Sequence, residues 1–195
     1  MSQVRSPRGL TLVELVVTLV IAAVLLLAGI PSFIDWIRNT QIRTAAESFL
    51  SGIQLARTEA VRRNTRVRFQ VTDTLTTACT LSTTGANWVV SLSDVTGACD
   101  ITNNADIMQI RPQAEGGGGT VVSATQATLV FNGLGRLIPV PSNNVAINMA
   151  GSSGTCLAES GSLRCLRIIV SPSGQVLLCD PDPSLADGNP ARCPT

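Results

Sequence analysis

Residues 10–30 are apolar except for Thr11, Glu14, Thr18 and a single glycine. These 21 residues would rise about 1.5 Å each in an α-helix and reach roughly 31 Å, close to the hydrocarbon thickness of a bilayer. The pattern predicts a transmembrane helix. Pro31 lacks the backbone donor that a helix interior uses, and it predicts a kink or break. From 31 to 64 the pattern turns amphipathic. Ile42, Ala45, Ala46, Phe49, Ile53, Ala56 and Ala60 recur at steps of three and four, which places them on one helical face. Arg43, Glu47, Arg57, Arg62 and Arg63 lie mainly off that stripe. This second stretch is expected to lay its stripe against a folded head.

Strand signals follow, so residues 65–195 are expected to form a β-rich head. Val67, Phe69 and Val71 alternate with polar neighbours over 66–71. Further strands are expected at 88–92, 107–110, 128–131, 136–140, 145–149, 166–170 and 176–179. Asn132-Gly133-Leu134-Gly135 and Ser171-Pro172-Ser173-Gly174 read as turns, and 116–119 is a flexible glycine tract. One long N-terminal helix followed only by strands defines an α+β fold, with the second half of the helix packed on antiparallel sheets. The organisation is a leader over 1–9, a membrane helix over 10–30, an amphipathic helix over 31–64 and the head.

Charge divides the chain further. All fourteen basic residues are arginine, and there is no histidine or tyrosine. Between Asp35 and Arg68 seven arginines face three acids, net +4; from Phe69 onward five arginines face nine acids, net −4. Without histidine, Ser-His-Asp and Cys-His catalysis are excluded. The glycine tract lacks the following Gly-Lys-Ser/Thr of a phosphate-binding loop. Asp180, Asp182 and Asp187 raise the question of calcium, but the prolines among them do not follow a calcium-loop pattern and a solvated tail fits better. No enzyme activity, metal or cofactor is expected.

The six cysteines are Cys79, Cys99, Cys156, Cys165, Cys179 and Cys193. Their wide spacings and the lack of histidine argue against zinc, and an even count favours disulfides in an oxidising compartment. Six cysteines allow fifteen connectivities. Pairing of sequence neighbours (79–99, 156–165, 179–193) is the expectation, with Cys165–Cys179 across a hairpin as the alternative.

Glu14 is the feature that needs an explanation. An ionisable side chain at the bilayer centre costs about 2.5–3.5 kcal/mol on insertion scales, and such a residue is a functional hypothesis by default. It follows a short leader with Arg5, Arg8 and Gly9. A secretory signal is cut after its apolar core; here the candidate cut lies before it, so the apolar helix would be retained. The string Arg8-Gly9-Leu10-Thr11-Leu12-Val13-Glu14 resembles the class III signal of type IV pilins and type II secretion pseudopilins. That resemblance implies cleavage between Gly9 and Leu10 by a prepilin peptidase, and methylation of the new Leu10 amine. Leu10 stands where phenylalanine is common in the family. Glu14 would neutralise the Leu10 amine of a neighbouring subunit and set axial register, which removes an unpaired charge from lipid. Leader arginines on the cytoplasmic side of the inner membrane fit the positive-inside rule, with the head in the periplasm.

Ile30-Pro31-Ser32-Phe33 and Leu55-Ala56-Arg57-Thr58-Glu59-Ala60-Val61, running on to Arg62-Arg63-Asn64, narrow the likeness to the FimT/FimU minor pilins and the related GspH pseudopilins. It is close over 8–71 and looser beyond. The family implies two β-sheets on the helix and a low-abundance subunit that helps start a filament with other minor pilins and the major pilin, or with other pseudopilins in secretion. A proline at this distance from the cut marks a stretch that extends in related filaments. Some FimT proteins bind DNA through a Gly-Arg-x-Arg motif. The matching place here reads Gly174-Gln175-Val176-Leu177, and neither Gln nor Leu supplies the guanidinium fork that clamps phosphate. DNA reception is therefore disfavoured. The arginines at 57, 62, 63, 66 and 68 are read first as helix C-terminal cations that complement the macrodipole, with Glu59 and Arg63 an i,i+4 pair.

Overall fold

The structure is a computed structural model that describes residues 11–115 and 118–194, with the side chains of 28–32 left out. The cut site at Gly9 and Leu10, the leader and half of the glycine tract lie outside the described residues. By contacts the chain divides into two compact units, residues 1–36 and 37–195.

Helix α1 runs Leu12–Arg63. Thr11 caps its start: the Glu14 amide donates to Thr11 Oγ1 at 3.3 Å, the first half of a capping box of the Thr-x-x-Glu type. Asn64 ends it with φ 49°, and the Thr65 amide reaches back to Ala60 O while Asn64 N–H reaches Val61 O. This is the Schellman arrangement with asparagine in the left-handed position. Pro31 does not break the helix, which is continuous through it. Proline removes one backbone donor, and the bonds of the neighbouring turns carry the helix past it. The described side chains from Leu12 to Leu27 are exposed. Among the described residues no helix is long and apolar enough to cross a membrane.

In the second unit, the whole stripe of α1 is buried, from Ile42 at 0% exposure through Phe49 at 2% to Ala60 at 0%. It packs on two antiparallel four-stranded sheets. One has the order β3-β2-β1-β5, formed by Val67–Thr72 (β1), Asn87–Ser91 (β2), Ile107–Arg111 (β3) and Thr128–Phe131 (β5). The other has the order β4-β6-β7-β8, formed by Thr120–Ala124 (β4), Val145–Gly151 (β6), Leu166–Val170 (β7) and Val176–Cys179 (β8). The α1 stripe and residues of both sheets share one core. An aromatic chain crosses it, with Phe49 5.7 Å from Phe69 and Phe69 5.6 Å from Trp88, centroid to centroid. Trp88 Nε1 donates to Ser48 Oγ at 3.1 Å, which satisfies the indole in the core and ties sheet to helix.

One strand expectation is corrected, and one strand stands where none was expected. Residues 136–140 form no strand: only a bridge from Phe131 to Leu137 remains, and the Ile138–Pro139 peptide is cis. Proline cannot donate to a ladder, which ends pairing there. Strand β4 was not expected, because Thr120-Val121-Val122-Ser123-Ala124 sits in a Ser/Thr-rich stretch beside glycines. The sequence neighbours among the cysteines are bonded: Cys79–Cys99, Cys156–Cys165 and Cys179–Cys193, and no Cys165–Cys179 bridge forms. The first bond closes a smaller apolar cluster of Val89, Val95 and Ile107 over the outer face of β2 and β3. Buried Gln70 serves as its polar clamp. Its amide donates to Asp94 Oδ1 at 3.2 Å, and its oxygen accepts from Ser91 Oγ and Val95 N, each at 3.3 Å.

Candidate functional site

Two places in the chain carry candidate assembly chemistry. At the start of α1, Glu14 occupies the third helical position. A carboxylate there complements the positive end of the helix dipole. Its backbone amide is held by Thr11 and its side chain is exposed among apolar neighbours, with no ion pair among the described residues. The residue before Thr11 is Leu10, whose position lies outside the described residues.

At the end of α1, the arginines of the sequence cluster come together with a turn. Arg63, Asn64, Thr65, Arg66, Arg68, Leu92, Asn132 and Gly133 line an open groove. Gly133 is required: a Cβ there would stand 2.3 Å from Asn64 Oδ1, so only glycine lets this turn reach the helix end. The turn is built by Asn132, whose Oδ1 accepts from the amides of Leu134 and Arg136, each at 3.0 Å. Glu59 accepts from Arg62 Nη2 at 2.7 Å and Arg63 Nε at 2.8 Å. These hydrogen bonds, Arg62 first and then Arg63, lower its pKa from 4.5 to about 2. Asp94 is lowered by the Thr96 amide and hydroxyl, with Gln70 and the Arg68 charge adding to the effect. Arg68 Nε is buried without a hydrogen-bond partner. The cluster itself was legible in the sequence; the part played by Asn132 and Gly133 was not, because it depends on a contact between residues almost seventy positions apart.

The other candidate residues fall into structural roles. Gly174 sits in a turn with φ 83°, and Gln175 N donates to Ser171 Oγ at 3.0 Å. Leu177 is 43% exposed on β8, with no guanidinium at either place of the Gly-Arg-x-Arg pattern. Arg167 Nε donates to Asn148 Oδ1 at 2.6 Å, and Arg164 lies 3.7 Å from Asp180. Asp180 and Asp182 are acceptors in their own turns, receiving the Asp182 and Ser184 amides at 3.0 and 2.9 Å. Among the described residues no group of three or more His, Cys, Asp or Glu could hold a metal ion.

A long N-terminal helix on antiparallel sheets, entered by a capped apolar segment with an early glutamate, defines the pilin-like class. Residues 4–30 match the prokaryotic N-terminal methylation motif, and residues 45–174 match the family described as type II transport protein GspH. The chain belongs to this GspH family, which includes the FimT/FimU type of pilin-like subunit. Its fold is similar to that of the type IV minor pilin FimU of Pseudomonas aeruginosa in two crystal forms. The TM-scores are 0.51 and 0.50 at 16% identity, covering 70% of this chain and 87% and 90% of those chains. No curated protein sequence matches the chain.

Proposed function

We propose that this chain is a minor type IV pilin of the FimT/FimU kind. A prepilin peptidase cuts between Gly9 and Leu10, the Leu10 amine is methylated, and the subunit waits in the inner membrane with its head in the periplasm. It then joins other minor pilins and the major pilin in starting a filament. Glu14 neutralises the Leu10 amine of a neighbour and fixes axial register as the apolar helix enters the filament core. The observation that carries this reading is the methylation motif at residues 4–30 placed directly ahead of a GspH-type head. Two features support it. An all-round apolar helix face with exposed side chains calls for lipid or other helices around it. Three disulfides in one head fit an oxidising compartment.

The test is surface-pilus abundance after deletion, read by shearing and blotting for the major pilin. Loss of pili restored by the wild type, but not by Glu14→Val, is expected; Glu14→Val should still be processed and membrane-inserted. Unchanged pili after deletion would sink the priming role, and normal incorporation of Glu14→Val would sink the register role. A second reading, a pseudopilin of type II secretion, is favoured by the family description itself. Under that reading deletion abolishes export of secreted enzymes and leaves pili intact.

A further inference from the structure

Between Glu14 and Asp35 the chain carries no charged residue. As part of α1, residues 15–34 rise roughly 30 Å, the thickness of the hydrocarbon core of a bilayer. The described side chains of this window are exposed, and Thr18 donates its hydroxyl to Leu15 O at 2.9 Å, within the helix itself. At the end of the window stand Phe33 and Trp36, the first aromatic residues of the chain. They stack with ring centroids 5.8 Å apart and an interplanar angle of 25°. Even so, they remain 60% and 63% exposed. Asp35 lies between them and Arg38 follows. Apolar ring faces, a polar indole edge and charged neighbours together match the membrane–water interface, which is apolar on one side and wet on the other. Helix seams inside lipid are built instead on small side chains that let backbones approach.

We propose that Phe33 and Trp36 anchor α1 in the headgroup layer of the periplasmic leaflet, and that this anchor holds Glu14 at the cytoplasmic edge of the hydrocarbon. From Glu14 to Trp36 the helix rises roughly 33 Å, or about 31 Å at an ordinary tilt of about 20°. With the ring pair among periplasmic headgroups, the Glu14 carboxylate falls among the cytoplasmic ones and not at the bilayer centre. An ionised group there stays within reach of water and avoids the cost it would meet at the midplane. The waiting subunit therefore keeps its charge without a partner, and a neighbour's amine is needed only when the helix leaves the bilayer for the filament. The inference rests on the reading of a subunit held in the inner membrane, and adds where along α1 the bilayer begins and ends.

The experiment places the full-length chain in vesicles of phosphatidylethanolamine and phosphatidylglycerol and reads tryptophan fluorescence. The quenchers are lipids brominated either near the headgroup or near the end of the acyl chain. Trp88, the other tryptophan, is 2% exposed in the head core and supplies a background that Trp36→Phe measures alone. The shallow bromine is expected to quench Trp36 about twofold more than the deep one, because an interfacial indole sits above the chains. All six native cysteines are in disulfides, so an introduced thiol is the one that a charged maleimide can label. In vesicles opened to the reagent on both faces, Val13→Cys should react about tenfold faster than Ile21→Cys, since the reactive thiolate forms where water reaches. Stronger quenching by the deep bromine, or none of Trp36 while Ile21→Cys stays protected, would overturn the anchor and leave the pilin reading intact. Val13→Cys as slow as a protected Ile21→Cys would overturn the placement of Glu14. Ile21→Cys as fast as Val13→Cys would mean that the helix is outside the bilayer, and the membrane-held subunit would fall together with its anchor.

Discussion

Glu59 shows how a single residue here does two jobs. It lies one turn before the end of α1 and holds Arg62 and Arg63 together. A carboxylate near a helix C-terminus is unfavourable to the dipole, and two guanidiniums beside it reverse that. Its pKa in the folded chain, about 2 against an ordinary 4.5, fixes the direction of the linkage. A carboxyl depressed by folding binds fewer protons in the native state, so it contributes stability above the unfolded value. That contribution is lost as pH falls from about 4.5 toward 2. Replacing Glu59 by Gln should therefore lower the melting temperature at pH 7, and the gap from the wild type should close on acidification toward pH 2. A gap that stayed constant with pH would mean that the ion pairs do not couple to folding.

At the scale of the elements, what could be read from the sequence was what depends on short-range period. The stripe of Ile42, Phe49 and Ile53 declares its helix through repeats of three and four, and all three are buried at 2% or less. Val67, Phe69 and Val71 declare a strand by alternation. What could not be read depends on distant partners. Residues 136–140 have strand-like composition, yet Pro139 ends the ladder; Thr120–Ala124 lacks a strong signal and becomes a strand because β6 pairs with it. Pro31 leaves α1 unbroken, because one missing donor is small against a long helix. Gly52 is a further case where the sequence alone says nothing. In a helix it costs about 1 kcal/mol relative to alanine, but its Cβ position is only 2.8 Å from Phe69 Cε2 and 2.9 Å from Trp88. The aromatic rings of β1 and β2 occupy the space that a side chain would need. Gly52→Ala is expected to destabilise the head by about 1–2 kcal/mol, overpacking outweighing the gain in propensity. Thermal unfolding of residues 37–195 would read this as a loss of several degrees, and a stabilised variant would show that the rings yield.

On the scale of the whole molecule, positive and negative charges nearly balance, and many are already paired within the head. The unit 37–195 carries twelve arginines and eleven acids, net +1. A head so close to neutral offers a polyanion little net attraction. A duplex presents a continuous line of phosphates, and binding at physiological salt draws on many of them at once. The groove offers Arg63, Arg66 and Arg68, with Arg63 shared by Glu59 and Arg68 close to Asp94. Three contacts imply a slope of log K against log salt of about −2.7, well short of the 6–10 phosphate contacts of a strong DNA binder. At β8, Gln175 and Leu177 leave the second route to phosphate without a guanidinium. Residues 37–195 at micromolar concentration and about 150 mM salt are thus expected to leave duplex DNA unshifted in a gel. Restoring the pattern with Gln175→Arg and Leu177→Arg should produce a salt-sensitive shift, because both positions are exposed and free to meet a backbone. A shift by the unaltered head would instead assign the groove to nucleic acid. A doubly substituted head that still failed to shift would show that the missing arginines are not the whole reason the head passes DNA by.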